Sequence, residues 1–365
     1  IGTKSGLLCL RHVEHQKHCI YRFIEESLVF FEKTLFVHAI SQAAKSEPIV
    51  AQKVKSLLIM TPPPLSEQRN KETEIHSATL LSRVSILRYQ LKVLFRYLKF
   101  YWRVNGPAPR TPQGFQLHGN RHVIKGTFEP TETRWFEKLI PLVDGLVNVG
   151  ANVGYYCCLA LRQGKPVVAF EPVDLNVRYL LANIHINGWE DKFQVFPVCL
   201  GSEPGILTLY GEGTGASLVR GWANNFHSQS NLAPVHTLDQ LLGKRISGSR
   251  QLILVDIEGA EYFFLQGAKN VLHANPKHWW IMEISIDIHW PNGETNPRLV
   301  ETFTLFWDAG YEAWTIEERP VKIGPETIGK IQRQEQTLDC HNFMFFPAGE
   351  RNPLPNAQKT EHEQE

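Results

Sequence analysis

Three carboxylates fall within six residues in Asp256-Ile257-Glu258-Gly259-Ala260-Glu261, directly after the apolar run Leu252 to Val255. A further acid, Glu283, lies in the run Met282-Glu283-Ile284, with Asp287 and His289 just beyond it. Acids at the end of a buried strand are costly unless they are paired or kept protonated. Such groups can take the proton of a reacting hydroxyl, and a histidine is the side chain best matched to neutral pH. Glu261 has a plainer explanation, because an acid in the first turn of a helix complements its dipole. Asp256, Glu258, Glu283 and His289 are therefore the candidate acid–base residues. A metal bridging Asp256, Glu283 and His289 would lower a hydroxyl's pKa to the same end. No tight ligand spacing supports one, and no metal is assigned. Cys9, His12, His15 and His18 recur by threes, which drifts around a helix and does not converge on one ion.

A second candidate is the stretch Val147-Asn148-Val149-Gly150-Ala151-Asn152-Val153-Gly154-Tyr155, where a short apolar strand meets two glycines and then a helix start. Glycine permits positive φ and close approach of a ligand to the backbone, and free N–H groups at a helix start favour an anionic group. The spacing is G-x-x-x-G and lacks the third glycine of the dinucleotide fingerprint G-x-G-x-x-G, which weakens a pyrophosphate reading. Glu171-Pro172 follows twenty-one residues after Gly150, at the end of the next strand. An acid there can accept both hydroxyls of a ribose, so the pair points to a nucleoside without naming it.

These residues need strand ends to hold them together. The pattern predicts strands at Leu146 to Val149, Val167 to Phe170, Phe193 to Leu200, Leu252 to Val255, Ile281 to Ile284, Tyr311 to Ile316 and Asn342 to Phe346. Helices are predicted over Thr131 to Ile140, Tyr155 to Arg162, Leu175 to Ile186, Ala260 to Leu272 and Pro297 to Ala309, with Thr131 or a neighbour capping the first. Unbroken apolar strands alternating with helices predict a parallel α/β sheet covered on both faces, with an antiparallel piece at its end. In such a sheet, ligands bind beyond the carboxyl ends of the strands. The loop from Gly211 through Trp222 to His227 is long and glycine-rich and is a candidate cover for a substrate. His236 and His341 lie beside apolar segments and read as structural.

Upstream, residues 1–60 read as a helical accessory region, with Ile20, Phe23, Ile24, Leu28, Phe31 and Leu35 on one face. Residues 61–74, opening on Thr61-Pro62-Pro63-Pro64, form a linker, since consecutive prolines cannot continue a helix. Residues 75–128 hold a long amphipathic helix followed by short extended pieces at Val123-Ile124 and Gly126-Thr127-Phe128. Its basic stripe, Arg88, Lys92, Arg96, Lys99 and Arg103, could meet an anionic membrane surface, although a solvated flank explains it more simply. Residues 129–348 form the α/β domain and 349–365 a polar tail.

With 38 Lys and Arg against 37 Asp and Glu, the chain has no global charge to attract nucleic acid. Six cysteines without a C-x-x-C pair, mostly in apolar runs, read as buried thiols of a reducing, cytoplasmic protein. No run of eighteen apolar residues occurs, so no membrane span is expected.

From Gly126 to Phe346 the chain resembles the FkbM family of S-adenosylmethionine-dependent methyltransferases. The resemblance rests on Gly126-Thr127-Phe128-Glu129-Pro130, Asn148-Val149-Gly150-Ala151-Asn152-Val153-Gly154-Tyr155, Phe170-Glu171-Pro172 with Asn176 and Asn183, Asp256-Ile257-Glu258-Gly259-Ala260-Glu261, Gly267-Ala268 and Met282-Glu283-Ile284. It implies a class I methyltransferase (Rossmann-like) fold, a seven-stranded, mostly parallel sheet with helices on both faces. It also implies S-adenosylmethionine as donor and O-methylation of a hydroxyl on a small-molecule acceptor, a sugar or natural-product scaffold. By carry-over, Gly150, Ala151, Asn152, Gly154 and Asn148 bind the methionine end of the donor and Glu171 the ribose. Two positions depart from the family, which usually has aspartate at Asn148 and often lysine at Val255. The rivals are an NAD(P)-dependent oxidoreductase, which leaves the Asp256 cluster unexplained, and a non-catalytic module that retains the fold. The N-terminal region is expected to help bind substrate or form a homodimer.

Overall fold

The computed structural model of the chain describes residues 98–211, 213–224, 230–350 and 353. The expected accessory helices of 1–60, the histidine series at 9–18, the linker 61–74, most of the basic helix, Glu212, His227 and nearly all of the polar tail lie outside the described residues. The basic helix is described only over 98–104.

In chain order the elements begin with α1 (Arg121–Lys125), α2 (Pro130–Leu139), β1 (Gly145–Val149), α3 (Tyr155–Arg162), β2 (Val167–Phe170) and α4 (Asp174–Ile186). There follow β3 (Phe193–Phe196), β4 (Cys199–Leu200), β5 (Gly205–Tyr210), β6 (Ser230–His236), α5 (Leu238–Leu242), β7 (Gln251–Val255), α6 (Glu261–Gln266) and α7 (Lys269–Leu272). The chain then runs through β8 (Trp279–Glu283), α8 (Leu299–Asp308), β9 (Tyr311–Thr315), β10 (Lys322–Ile323), α9 (Pro325–Gln332) and β11 (Asn342–Pro347).

The main sheet has the order β10-β9-β11-β8-β7-β1-β2-β3. From β8 to β3 all pairings are parallel, whereas β11 is antiparallel to both β8 and β9. This is a Rossmann-like, mostly parallel arrangement with an antiparallel end. The central strands are unbroken apolar runs because both faces are buried. Along β1 the side chains alternate, so Val147 and Val149 join Ile253, Val255, Phe264 and Trp280 on one face. Leu146 packs on the other, against α3. Farther along the sheet, Phe306 stacks on Phe345 with ring centroids 3.7 Å apart. Truncating a buried ring of this kind typically costs about 3–5 kcal/mol.

Several expectations are corrected. The main sheet has eight strands, since the short β10 adds an edge, and a separate three-stranded sheet of order β4-β6-β5 lies beside it. The single strand expected over Phe193 to Leu200 is two strands in different sheets, β3 pairing with β2 and β4 with β6. The helix expected over Ala260 to Leu272 is broken into α6 and α7 at Gly267-Ala268. Val123 and Ile124 are helical rather than extended, because Asn120 caps α1 by accepting from the Val123 N–H and Gly126 closes it in the left-handed conformation. The start of α2 has no side-chain cap, from Thr131 or any neighbour. Cys157, Cys158, Cys199 and Cys340 are buried and free. Among the described residues no helix is long and apolar enough to cross a membrane.

Candidate active site

Chain order reverses across the sheet beside β1, which has β2 on one flank and β7 on the other. That switch point is where an open α/β sheet leaves a crevice at its carboxyl edge. The strand pairing runs right up to the crevice. The N–H groups of Gly150 and Ala151 both donate to Phe170 O, and the Asp256 N–H donates to Val149 O. The backbones are so close at Gly150 (φ +83°) that a Cβ there would sit 1.7 Å from the carbonyl oxygen of Asp256. Gly154 (φ +88°) is required for packing instead, since its Cβ would lie 2.2 Å from Leu180.

The cleft is lined by Gly150 and Asn152 from the turn, Glu171 and Asn176 behind β2, and Asp256 and Glu258 after β7. Its apolar wall comes from Phe170, Val198, Cys199, Leu200, Leu209 and Leu218. The glycine-rich segment after β5 forms part of the wall, with Gly213, Thr214 and Ala216 on the cleft. It is held there by a backbone pair between Tyr210 and Ser217 and by Asn176 Nδ2 donating to Gly213 O at 3.1 Å.

Glu171 is 4% exposed. Its Oε2 accepts from the Asn152 N–H at 2.7 Å, and its Oε1 from the Val173 N–H at 2.9 Å and Asn176 Nδ2 at 3.2 Å. Burial raises the carboxyl's pKa, and these donors oppose the rise. Two carboxylate oxygens offer about four acceptor sites, so capacity remains for about one further donor. Asn183, on the same helix as Asn176, pins the end of the glycine turn by donating to Val153 O.

The other residues assigned to donor binding do not all reach the cleft wall. Asn148, 1% exposed, is turned toward α3 and donates to Cys157 Sγ at 3.4 Å, while its Oδ1 has no partner. Ala151 is buried in the core on that side. Gly150 and Asn152 are thus the turn residues on the cleft wall, and Asn148, Ala151 and Gly154 lie behind them.

All four acid–base candidates gather at neighbouring strand ends. Asp256 and Glu283 are close enough for their carboxyls to share a hydrogen bond; burial raises both pKa values, helped at Asp256 by the charge of Glu283 and at Glu283 by Glu258, Glu261 and Glu129, while the hydrogen bond with Asp256 opposes the rise at Glu283. Glu258 is raised by burial and accepts from Trp222 Nε1 at 2.6 Å. His289 is exposed, its ring 5.8 Å from that of Trp222, and its charge favours ionised Glu258. Glu261 instead turns back on its own helix start, accepting from the Gly259 N–H, with its pKa raised by burial to about 7. Asp287 is exposed beyond β8. Among the described residues no three His, Cys, Asp or Glu side chains are placed to hold a metal ion.

Two residues of this edge were not picked out as site residues by spacing. Glu129, at the start of α2, has left-handed backbone (φ 41°) and accepts from the Tyr156 hydroxyl at 2.7 Å. Burial raises its pKa to about 7, with Glu132 and Glu258 adding to the rise. A left-handed conformation costs a non-glycine residue about 1–2 kcal/mol, so tertiary contacts must hold it. The only signal in sequence was its place in Gly126-Thr127-Phe128-Glu129-Pro130. Trp222 lay inside a stretch legible only as a loop.

Raised carboxyl pKa values make a pH prediction. An unfolded carboxyl titrates near 4 to 4.5, so this edge favours the fold fully below that range, and the benefit is lost as pH rises through the folded values, about 7 for Glu129 and Glu261. Glu283→Gln removes an acid whose ionisation is opposed by burial and by the charges of Glu258, Glu261 and Glu129. Its melting temperature is expected to exceed that of the parent by roughly 5 °C at pH 8 and to differ little at pH 4.5. Thermal melts at both values check this, and an equal shift at both would exclude a titration effect.

Residues 148–313 match the Methyltransferase FkbM domain. No curated protein matches the chain. Among solved structures, the methyltransferase FkbM from Methylobacillus flagellatus KT is 15% identical, with a TM-score of 0.36, over 56% of this chain and 44% of that one. The chain thus spans less than half of that relative's length. An O-methyltransferase from Bacillus cereus in complex with SAH is 13% identical over 60% of this chain and 80% of that chain, with a TM-score of 0.33. Aeropyrum pernix fibrillarin with natively bound S-adenosyl-L-methionine is 10% identical over 55% and 65%, with a TM-score of 0.29.

Proposed function

The chain carries an FkbM methyltransferase domain, and from that premise we propose that it transfers a methyl group from S-adenosylmethionine to a hydroxyl of a small-molecule acceptor, a sugar or natural-product scaffold. The observation that carries the reading is Glu171. It is a buried carboxylate fixed by three N–H donors, with acceptor capacity left over, between a glycine turn and an apolar wall. Those parts fit the donor. Glu171 would accept from a ribose hydroxyl, and Val198, Leu200 and Leu209 would flank the adenine. Gly150 lets the turn's backbone come close to the methionine end. Asp256 Oδ1 and Asn152 Oδ1, buried and without partners, offer acceptors to the donor's amino group.

When bound, S-adenosylmethionine supplies an activated methyl group on a positively charged sulfur. The protein's task is to align the acceptor oxygen with it and to take the hydroxyl proton. The acids at the ends of β7 and β8 are the groups available as base. Burial raises both carboxyls above the ordinary range, so that either, once ionised, holds a captured proton more firmly. Trp222 fixes Glu258 through its indole N–H.

A dinucleotide reading has less support. The turn lacks the third fingerprint glycine, and the wall at Asp256 and Glu258 would place acids next to a ligand rich in phosphate. The test is to incubate the purified protein with methyl-labelled S-adenosylmethionine and small-molecule fractions from its source. Label is expected in a base-stable, hydroxyl-derived methyl ether. Label in no small-molecule fraction would overturn the acceptor class.

A further inference from the structure

The glycine-rich segment 213–222 is tied near one end, through Asn176, to Glu171, and near the other directly to Glu258. Asn176 Nδ2 donates both to Gly213 O at 3.1 Å and to Glu171 Oε1 at 3.2 Å. Toward the far end two side chains converge on Glu258. Ser217, 1% exposed, donates from Oγ to Glu258 O at 2.5 Å, and Trp222 Nε1 donates to Glu258 Oε2 at 2.6 Å.

The second attachment is shaped around the indole. Trp222 is buried, its ring lies against Gly259, where a Cβ would come within 2.4 Å of it, and Trp290 meets it edge-on at 5.3 Å. The Ala223 N–H then donates to His289 O at 2.6 Å. Among the described residues, five of the eight non-glycine residues with positive φ, namely Ala223, Asn224, Glu258, His289 and Asn292, lie at this junction. Such backbone is disfavoured and persists only where its surroundings impose it. A phenyl ring could fill the space over Gly259. What the indole adds is an N–H, and it is directed at a carboxylate.

That carboxylate differs from its neighbours. Glu258 lines the cleft, whereas Glu283 does not. Asp256, also on the wall, has Oδ1 sealed from solvent and its carboxyl against that of Glu283. With Oε2 of Glu258 held by the indole, Oε1 accepts no hydrogen bond from the described residues and is the oxygen left for a ligand. An N–H donor also favours the ionised carboxylate, the form in which a base acts.

We propose that Glu258 takes the acceptor's hydroxyl proton on Oε1, and that Trp222 is the residue that positions it. The inference rests on the methyltransferase reading and selects one base among the acids at the strand ends. As the acceptor oxygen bonds to the methyl carbon, the carbon–sulfur bond breaks with its electron pair left on sulfur. The hydroxyl proton passes to Oε1, and Glu258, half-buried, returns it to solvent after the products leave. Because the same segment reaches Glu171 through Asn176, one stretch of chain sets the base relative to the donor side of the cleft.

Trp222→Phe keeps a ring against Gly259 and removes the N–H. Its effect is read from initial rates with methyl-labelled S-adenosylmethionine and the small-molecule fraction that accepts the label, and from calorimetry with S-adenosylhomocysteine. The expected result is a kcat lowered about tenfold, the scale of a hydrogen bond to a charged group. KM for S-adenosylmethionine and affinity for S-adenosylhomocysteine are expected to stay at parental values. Glu258→Gln is expected to lower kcat by at least about a hundredfold, and the double variant no further than Glu258→Gln alone, since Trp222 acts through that carboxylate. Losses that multiply in the double variant would give Trp222 a packing role and overturn its assignment. Parental kcat in either single variant would overturn the proposal, and Glu258→Gln decides the base with the indole packing intact even if Trp222→Phe folds poorly. A parent that neither binds S-adenosylhomocysteine nor transfers label would overturn the methyltransferase reading itself, an outcome distinct from these.

Discussion

Gly150→Ala is expected to abolish measurable binding of S-adenosylmethionine and S-adenosylhomocysteine. The new Cβ would lie 1.7 Å from Asp256 O, a backbone atom fixed by the β1–β7 pairing, and at φ +83° no side chain is comfortable. Something must move, and the atoms free to move are the turn itself and the start of the Asp256 segment, which are the two walls of the cleft. The substitution is also expected to lower stability by about 2–4 kcal/mol, the range of a side chain forced into a special backbone conformation. Circular dichroism and thermal melts separate the two effects. A folded variant that binds either compound with parental affinity would show that the turn is not part of the site.

Glu171→Ala is expected to weaken S-adenosylhomocysteine binding by about a hundredfold, close to 2.7 kcal/mol, the scale of one strong charge-assisted hydrogen bond to a ribose hydroxyl. The variant also leaves the N–H groups of Asn152 and Val173 and the Asn176 amide without their acceptor. The turn is expected to loosen, and the loss to exceed that of the direct contacts. Glu171→Gln keeps one acceptor oxygen while presenting an amide to donors, so its affinity is expected between the two. Calorimetric affinities for the three proteins check the order. Equal affinities for parent and alanine variant would place the ribose elsewhere.

How much of this was legible in the sequence follows from the range of the interactions involved. The parallel core was legible because Leu146 to Val149, Val167 to Phe170 and Leu252 to Val255 are apolar on both faces, a pattern that strand burial alone produces. The glycine turn, Glu171 and Asp256 were legible because each lies within a residue or two of a strand end, and strand ends fix position. The small sheet of β4, β5 and β6 was not legible. Its outer residues Ile206 and Leu232 are apolar yet exposed, and its inner side buries few side chains, so no alternation marked it. The orientation of Asn148 could not be read either, because it depends on which face of β1 receives α3. Glu129 was hidden for another reason. Its role depends on left-handed backbone and on Tyr156, twenty-seven residues away, and an acid before proline at a helix start has a sufficient local explanation. Of the four acids and bases named from sequence, the fold unites all at one edge, while burying Asp256 and Glu283 more deeply than His289.

The central claim is that the Glu171 cleft holds S-adenosylmethionine. Calorimetric titration of the purified chain with S-adenosylhomocysteine, set beside the same titration with NADH, tests it most directly. The predicted result is one-to-one binding of S-adenosylhomocysteine, lost in Glu171→Ala, with no heat from NADH. Binding of NADH with none of S-adenosylhomocysteine would contradict it.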